Sequence, residues 1–297
     1  MPESLERDLG GPVHVADHRG RGRPLLLIHG LGGSHVNWSA VADPLAETGS
    51  VRAIDLIGFG YTPLAGRSSA VDRQRDLCID YLRSEFDEPA ALIGNSMGGL
   101  VALRIAHAAP ELVESLVLVD PALPVIRPRL DADVLKGLVL PLVPGIGPRS
   151  FERRHAAAMD DPSSYLSELY DMLFVDASRV RPEDARLALD MARRRAEMPW
   201  VTDAFVDAAR SIFLILSRRR HFARWVGEIT APTLVVQGEK DRLVDVASAR
   251  WLVERNDRFD LEVFDDIGHV PQLECPERFL ETVTPWLAET AEAASRS

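Results

Sequence analysis

The residues of this chain best suited to chemistry begin with Gly94-Asn95-Ser96-Met97-Gly98, a serine bracketed by glycines. Apolar residues lead into it and a helical pattern follows, so Ser96 falls where a buried strand turns into a helix. A hydroxyl on such a turn stands clear at the carboxyl end of a sheet, the edge at which α/β folds bind ligands. The plain alternative is a glycine-bounded connection with an incidental serine. Chance supplies only about 0.1 such patterns in a chain of this composition.

A hydroxyl is a poor nucleophile until a base takes its proton. Eight histidines are available: His14, His18, His29, His35, His107, His155, His221 and His269. His269, in "DDIGHVPQLECPERF", lies in a loop between the last predicted strand and the last helix, at the same edge as Ser96. His107 sits in a helix pattern, His155 and His221 beside arginines in mid-chain, and His14 and His18 near the N-terminus.

The base needs a carboxylate to hold its tautomer and stabilise the imidazolium. Asp241, in "GEKDRLV", ranks first, and Asp120, ending "SLVLVD", second. Asp241 also suits the ordinary work of a turn residue or helix cap. Asp265 and Asp266 are too near His269 in sequence and suit a turn better. A tetrahedral oxyanion also needs N–H donors. Met97, at a helix start, offers one, and Leu31, in "HGLGGS", a second. Gly30 lets that loop approach a ligand closely, and His29 is expected to brace it by hydrogen bonding.

These residues must be positioned by a scaffold. "PLLLIHG", "VRAIDLIG", "AALIG" and "SLVLVDP" read as short strands buried on both faces, with helices expected over Asn37–Thr48, Ala70–Phe86 and Met97–Ala109. The alternation predicts an open, mostly parallel α/β sheet flanked by helices. From about Ala122 to Gly227 no buried strand is legible. Prolines 124, 128, 141, 144 and 148 come first, then helical patterns in "PSSYLSELYDMLFVD", "RPEDARLALDMARRRAE" and "VTDAFVDAARSIFLIL". In the second of these Pro182 suits the first helical position, with Glu183 and Asp184 in the first turn and Arg193–Arg195 in the last, complementing the helix dipole. Leu187, Leu189 and Met191 supply its apolar side. Strands return at "PTLVVQGEKD" and "FDLEVFDDIGH", with a helix between them and a closing helix at Pro276–Glu289. The expected organisation is a core of residues 1–121 and 228–297, interrupted by a helical lid at 122–227.

Composition narrows the class. Apolar residues make up 46% of the 297, enough for a sizeable core. Thirty-four basic against 45 acidic side chains leave a net charge of −11, which argues against a nucleic-acid partner. Cys78 and Cys275 show no metal-ligand spacing and are expected as buried free thiols. Neither a signal-peptide core nor a membrane span is legible, so the expectation is a cytoplasmic protein acting on a small molecule. No metal cluster or dinucleotide fingerprint is visible, and no cofactor is expected.

Five segments, "LLLIHGLGGSHVNW", "AIDLIGFGYT", "LIGNSMGGLVAL", "VVQGEKDRLV" and "IGHVPQLECPERF", together resemble the α/β-hydrolase superfamily over about residues 12–290. The resemblance implies Ser96 as nucleophile, Asp241 as acid and His269 as base, with the Leu31 and Met97 amides as oxyanion hole. It also implies Gly94 and Gly98 as the tight turn, and Asp55 as a brace in the loop beside the pocket. Relatives that open epoxides or displace halide use aspartate at the nucleophile position, against which Ser96 speaks. "GNSMGG" is similar to the nucleophile turn of meta-cleavage-product hydrolases, which break carbon–carbon bonds. Val270 stands where those enzymes carry an aromatic residue, and none of Arg193, Arg194 or Arg195 is singled out as their substrate arginine. The leading expectation is therefore hydrolysis of an apolar carboxylic ester through an acyl-enzyme on Ser96. Carbon–carbon hydrolysis comes second and non-catalytic ligand binding third. The apolar runs Leu135–Pro148 and Ser211–Leu216 are expected to pack the lid against the core, or else to meet an apolar substrate.

Overall fold

The structure is a computed structural model and describes residues 2–126, 149, 152–153 and 160–294. All six predicted strands form: β3 (Pro24–Ile28), β4 (Ser50–Ile54), β5 (Ala90–Asn95), β6 (Val113–Val119), β7 (Thr233–Gly238) and β8 (Phe259–Phe264). They pair in parallel, and β1 (Glu3–Asp8) and β2 (Pro12–Arg19) extend one edge antiparallel, in the order β1-β2-β4-β3-β5-β6-β7-β8. That leading pair is absent from the sequence expectation. Charges run through Glu3–Asp8, and its pairing is set by backbone hydrogen bonding to β2, whose Val13 and Val15 are buried.

Alternate residues of each strand face opposite sides, so the sheet carries two cores. Leu26, Ile28, Leu92, Leu116 and Leu118 pack with helices α2 (Val71–Glu85) and α3 (Met97–Ala108). Leu25, Leu27, Ile93, Val117 and Val119 pack with Trp38 and with Phe279, Val283 and Leu287 of the closing helix, Pro276–Ala294. Each such fully buried side chain contributes about 2 kcal/mol, which is what the continuous apolar runs encode.

The helix expected over Asn37–Thr48 is corrected to a 3-10 turn, His35–Trp38, and a four-residue helix α1, Ala42–Leu45. Pro44 has no N–H to give a helix entering from Asn37, and Ser34 and Asn37 cap the 3-10 turn reciprocally. Between β6 and β7 come α4 (Pro162–Leu173), α5 (Pro182–Ala196), α6 (Val201–Ser217) and α7 (Arg219–Val226), with no strand among the described residues. Pro182 opens α5 as expected, and Met191 is buried, but Leu187 is 42% exposed. The run Leu135–Pro148, prolines 128, 141, 144 and 148, and His155 lie outside the described residues. Two buried carboxylates fasten the inserted helices to the core. Asp184 accepts from the Ser39 hydroxyl at 2.5 Å and from Arg181 Nε at 2.6 Å. Glu274 accepts the backbone N–H groups of Val175 and Asp176, both at 3.0 Å, and of Gly268 at 2.8 Å. Helix α8 (Val246–Val253) joins β7 to β8, and the short α9 (Pro271–Glu274) precedes α10 (Pro276–Ala294). Among the described residues no helix is long and apolar enough to cross a membrane. Cys78 is a buried free thiol as expected, whereas Cys275 is only half-buried.

The strand–helix turn around Ser96 is tightly packed. A Cβ on Gly98 would overlap the Ile28 carbonyl of β3, and one on Gly94 would overlap the Gly98 carbonyl. Gly98→Ala is therefore expected to cost about 3 kcal/mol of stability, read as a lowered urea midpoint with the slope of the transition retained.

Candidate active site

Ser96 links β5 to α3 with φ 55° and ψ −116°, a left-handed conformation that is strained for a residue with a side chain. Its neighbours hold it there. The Ser96 N–H donates to Val119 O at 2.9 Å, and its carbonyl accepts from Ala122 N at 2.9 Å and Leu100 N at 3.2 Å. The side chain lines a cavity of about 1300 Å³ between the sheet's carboxyl edge and the inserted helices.

His269 lines the same cavity and is itself buried. Its Nδ1 lies 2.7 Å from Asp241 Oδ2, an imidazole–carboxylate hydrogen bond that leaves Nε2 as the other ring nitrogen. Its backbone is clamped at both ends. The N–H donates to Leu173 O, closing α4, at 2.7 Å, and the carbonyl accepts from Asn95 Nδ2 at 3.1 Å. Asp241 also accepts the N–H groups of Leu243 at 2.7 Å and Val244 at 3.1 Å through Oδ1. The turn role and the histidine contact thus coexist on one carboxylate. Asp120, the second-ranked acid, sits behind this pair, fully buried, and accepts from Gln237 Nε2 at 2.6 Å and Gly238 N at 2.8 Å. Burial and the adjacent Asp241 carboxylate push the Asp120 carboxyl well above the usual range. No hydrogen bond joins the Ser96 hydroxyl to the imidazole among the described residues; such bonds often tighten only when substrate is bound.

The loop after β3 faces Ser96. A Cβ on Gly30 would stand 3.2 Å from Ser96 Cβ, a crowded contact that glycine avoids as this backbone passes the serine. Leu31 lines the cavity, and Met97 is the first residue of α3. His29 braces this loop as expected. Its Nδ1 donates to Gly30 O at 2.8 Å while its Nε2 accepts the Leu56 N–H at 3.0 Å, which fixes the neutral tautomer. Burial pushes that imidazole down to about 4.

Asp55 is the hub of a second cluster. Its carboxylate accepts His14 Nδ1 at 2.8 Å, His35 Nδ1 at 2.9 Å, the His35 N–H at 2.6 Å and the Tyr61 N–H at 2.8 Å. Burial opposes its ionisation, but the two imidazoles outweigh that and hold it far below the usual range. The Nδ1 atoms of both histidines meet Asp55, and His14 Nε2 meets the Ser4 hydroxyl at 3.0 Å, tying the N-terminal strands, the β3 loop and the "DLIGFG" turn together. Sequence reading placed His14 only by its nearness to the terminus and left His35 without a role; the pairing across strands supplies both.

Two further residues escaped sequence reading. Asn95 is buried and donates through Nδ2 to both Val119 O at 3.0 Å and His269 O, so it holds the serine turn and the histidine loop in one frame. A polar amide at the end of an apolar strand was the available signal. Glu274, in "LECPERF", fixes the histidine loop through Gly268.

His29 makes stability depend on pH. Its folded value lies below the unfolded one, so the native state resists a proton that the unfolded chain accepts. The stabilisation is complete above about pH 6.5 and is lost as pH falls toward about 4, roughly 3 kcal/mol in all. Urea unfolding of wild type and His29→Gln should show wild type losing more stability by about that amount between about pH 7 and about pH 4.

The family model described as alpha/beta hydrolase fold matches residues 23–276. The chain is 29% identical over 290 residues to the 2-hydroxymuconate semialdehyde hydrolase of Pseudomonas sp. (strain CF600), covering 93% of this chain and 90% of that one. It is 26% identical to the pimeloyl-[acyl-carrier protein] methyl ester esterase of Aeromonas hydrophila subsp. hydrophila, covering 89% and 95%. The crystal structure of the meta-cleavage product hydrolase from Pseudomonas fluorescens IP01 superposes with a TM-score of 0.69 at 25% identity, over 93% and 95% of the two chains. With the eight-stranded sheet, the serine turn and this match over most of its length, the chain belongs to the α/β-hydrolase family and is a hydrolase.

Proposed function

We propose that this chain is a cytoplasmic serine hydrolase that cleaves a carboxylic ester of an apolar substrate, with Ser96, His269 and Asp241 as one catalytic unit. The observation that carries the reading is the His269–Asp241 hydrogen bond of 2.7 Å at a cavity that Ser96 also lines. Nε2 of His269 takes the hydroxyl proton as Ser96 Oγ attacks the ester carbonyl carbon, and Asp241 stabilises the imidazolium. The negative charge that forms on the carbonyl oxygen is received by the Leu31 and Met97 N–H groups, each worth about 3 kcal/mol of barrier. Collapse breaks the bond to the alcohol oxygen, which leaves with the proton from His269. Water, deprotonated by His269, attacks the acyl-enzyme, and the acid departs as Ser96 regains its proton. The residues between β6 and β7 act as a lid. Val201, Phe205, Ile212 and Phe213 of that insertion line the cavity, as an acyl or alkyl group requires.

Carbon–carbon hydrolysis of an acidic vinylogous ketone is the second reading, favoured by one observation. Arg195 lines the same cavity, together with Arg219 and Arg242, and a substrate carboxylate would pair with such a cation.

A fluorophosphonate probe is expected to modify Ser96 in wild type, and at least about 100-fold more slowly in His269→Ala; folded wild type that resists the probe would instead be a ligand-binding protein. Turnover of nitrophenyl esters of rising chain length, set beside bleaching of a coloured dienoate, separates the two reactions. The ester reading requires kcat/KM to rise with chain length and to exceed that for the dienoate.

A further inference from the structure

Asp120 follows β6 in a left-handed conformation, φ 44°, and its side chain is wholly buried. Its two oxygens are treated differently. Oδ1 accepts two N–H bonds, from Gln237 Nε2 and Gly238 N, whereas buried Oδ2 has no donor to accept from. An oxygen of Asp120 and one of Asp241 lie within 4.8 Å of one another and of a His269 ring nitrogen, and Gln237 Nε2 donates to both carboxyl groups, at 2.6 Å to Asp120 Oδ1 and 3.2 Å to Asp241 Oδ2. Two buried carboxyl groups this close repel one another when both are ionised, and a proton on one removes the repulsion and supplies a donor.

The choice between them follows from the donors. Asp241 receives N–H groups from Leu243, Val244, His269 and Gln237, all of which favour the anion. Asp120 has donors on one oxygen alone; the acids acting on it are Asp241 from the loop after β7 and Glu274 from α9, and the His269 ring from the loop after β8 lies nearby. We infer that Asp120 is a neutral carboxylic acid whose Oδ2–H is donated to the Asp241 carboxylate, making it a positioning residue for the acid that orients His269. Burial and the two neighbouring acids act in the same direction, raising the Asp120 carboxyl. The inference rests on the proposed roles of Ser96, His269 and Asp241. It assigns Asp120 neither to a bystander's place nor to that of a substitute acid: a neutral donor orients Asp241 without adding a second negative charge beside the imidazole.

The test reads the proton directly and then its effect. Infrared difference spectra of wild type against Asp120→Asn near pH 7 should contain the carbonyl stretch of a protonated carboxyl group, and Ser96→Ala should retain that band. In ester turnover, Asp120→Leu should lower kcat about tenfold with little change in KM, and Asp120→Asn, whose amide donates where the acid did, should recover most of that loss. The acid limb of the kcat/KM profile should stay in place in Asp120→Asn. Absence of the band overturns the inference. So does a downward shift of that limb by about one pH unit in Asp120→Asn, the sign of a negative charge removed from beside His269. Undiminished turnover by Asp120→Leu overturns it too. Should the leucine variant fail to fold, the band and the asparagine profile decide alone. Failure of the probe to label Ser96 would remove the catalytic reading and leave the infrared test of the Asp120 proton standing.

Discussion

The close approach of three backbone segments around Ser96 is the constraint on which the rest of the structure depends. The end of β3, the end of β5 and the first turn of α3 come so near one another that carbonyl oxygens occupy the space where side chains at positions 94 and 98 would begin. Glycine at those two positions allows the contact, and the contact forces Ser96 into a left-handed conformation that its hydrogen bonds to Val119, Ala122 and Leu100 then hold. Strain of about 1–3 kcal/mol is typical for such a residue. It is sustained here by two full layers of apolar packing on either face of the sheet.

Around that turn, buried acids work as staples. Asp55, Asp120, Asp184, Asp241 and Glu274 are all withdrawn from water, and each accepts N–H or O–H groups from elements distant in sequence. A buried carboxylate is tolerated only when it is paired or hydrogen-bonded. Each of these therefore marks a place where two segments are obliged to meet. Glu274 and Asp184 join the inserted helices to the core, Asp55 joins the N-terminal hairpin to the β3 loop, and Asp241 reaches the histidine loop. The surplus of acidic residues that speaks against nucleic acid is in part this interior framework.

The cavity combines the features that the two candidate reactions divide between them. Its walls from the inserted helices include Val201, Phe205, Ile212 and Phe213, suiting an acyl or alkyl chain, and also charged side chains, Arg195 among them. The two proposed reactions draw on the same proposed serine, base and oxyanion donors and differ in the bond that breaks. An ester hydrolase and a semialdehyde hydrolase both stand among the relatives. Asp120 bears equally on either, since it acts on Asp241 rather than on substrate.

The six parallel strands and the glycine-flanked turn at Ser96 were legible because a doubly buried strand must be continuously apolar, and a tight strand–helix turn must be flanked by glycine. Those are local requirements, and local requirements are written in adjacent residues. The hairpin β1–β2 was hidden because its strands are charged and are held by backbone pairing. The helix expected over Asn37–Thr48 gave way because Pro44 interrupts it. Tertiary structure alone decided which acid His269 touches, that Asn95 binds the histidine loop, that His14 and His35 share Asp55, and that Asp120 stands behind Asp241 with one oxygen unanswered. Each of those contacts joins residues far apart in the chain, and their distance in space is set by how the sheet packs, which no stretch of neighbouring residues records.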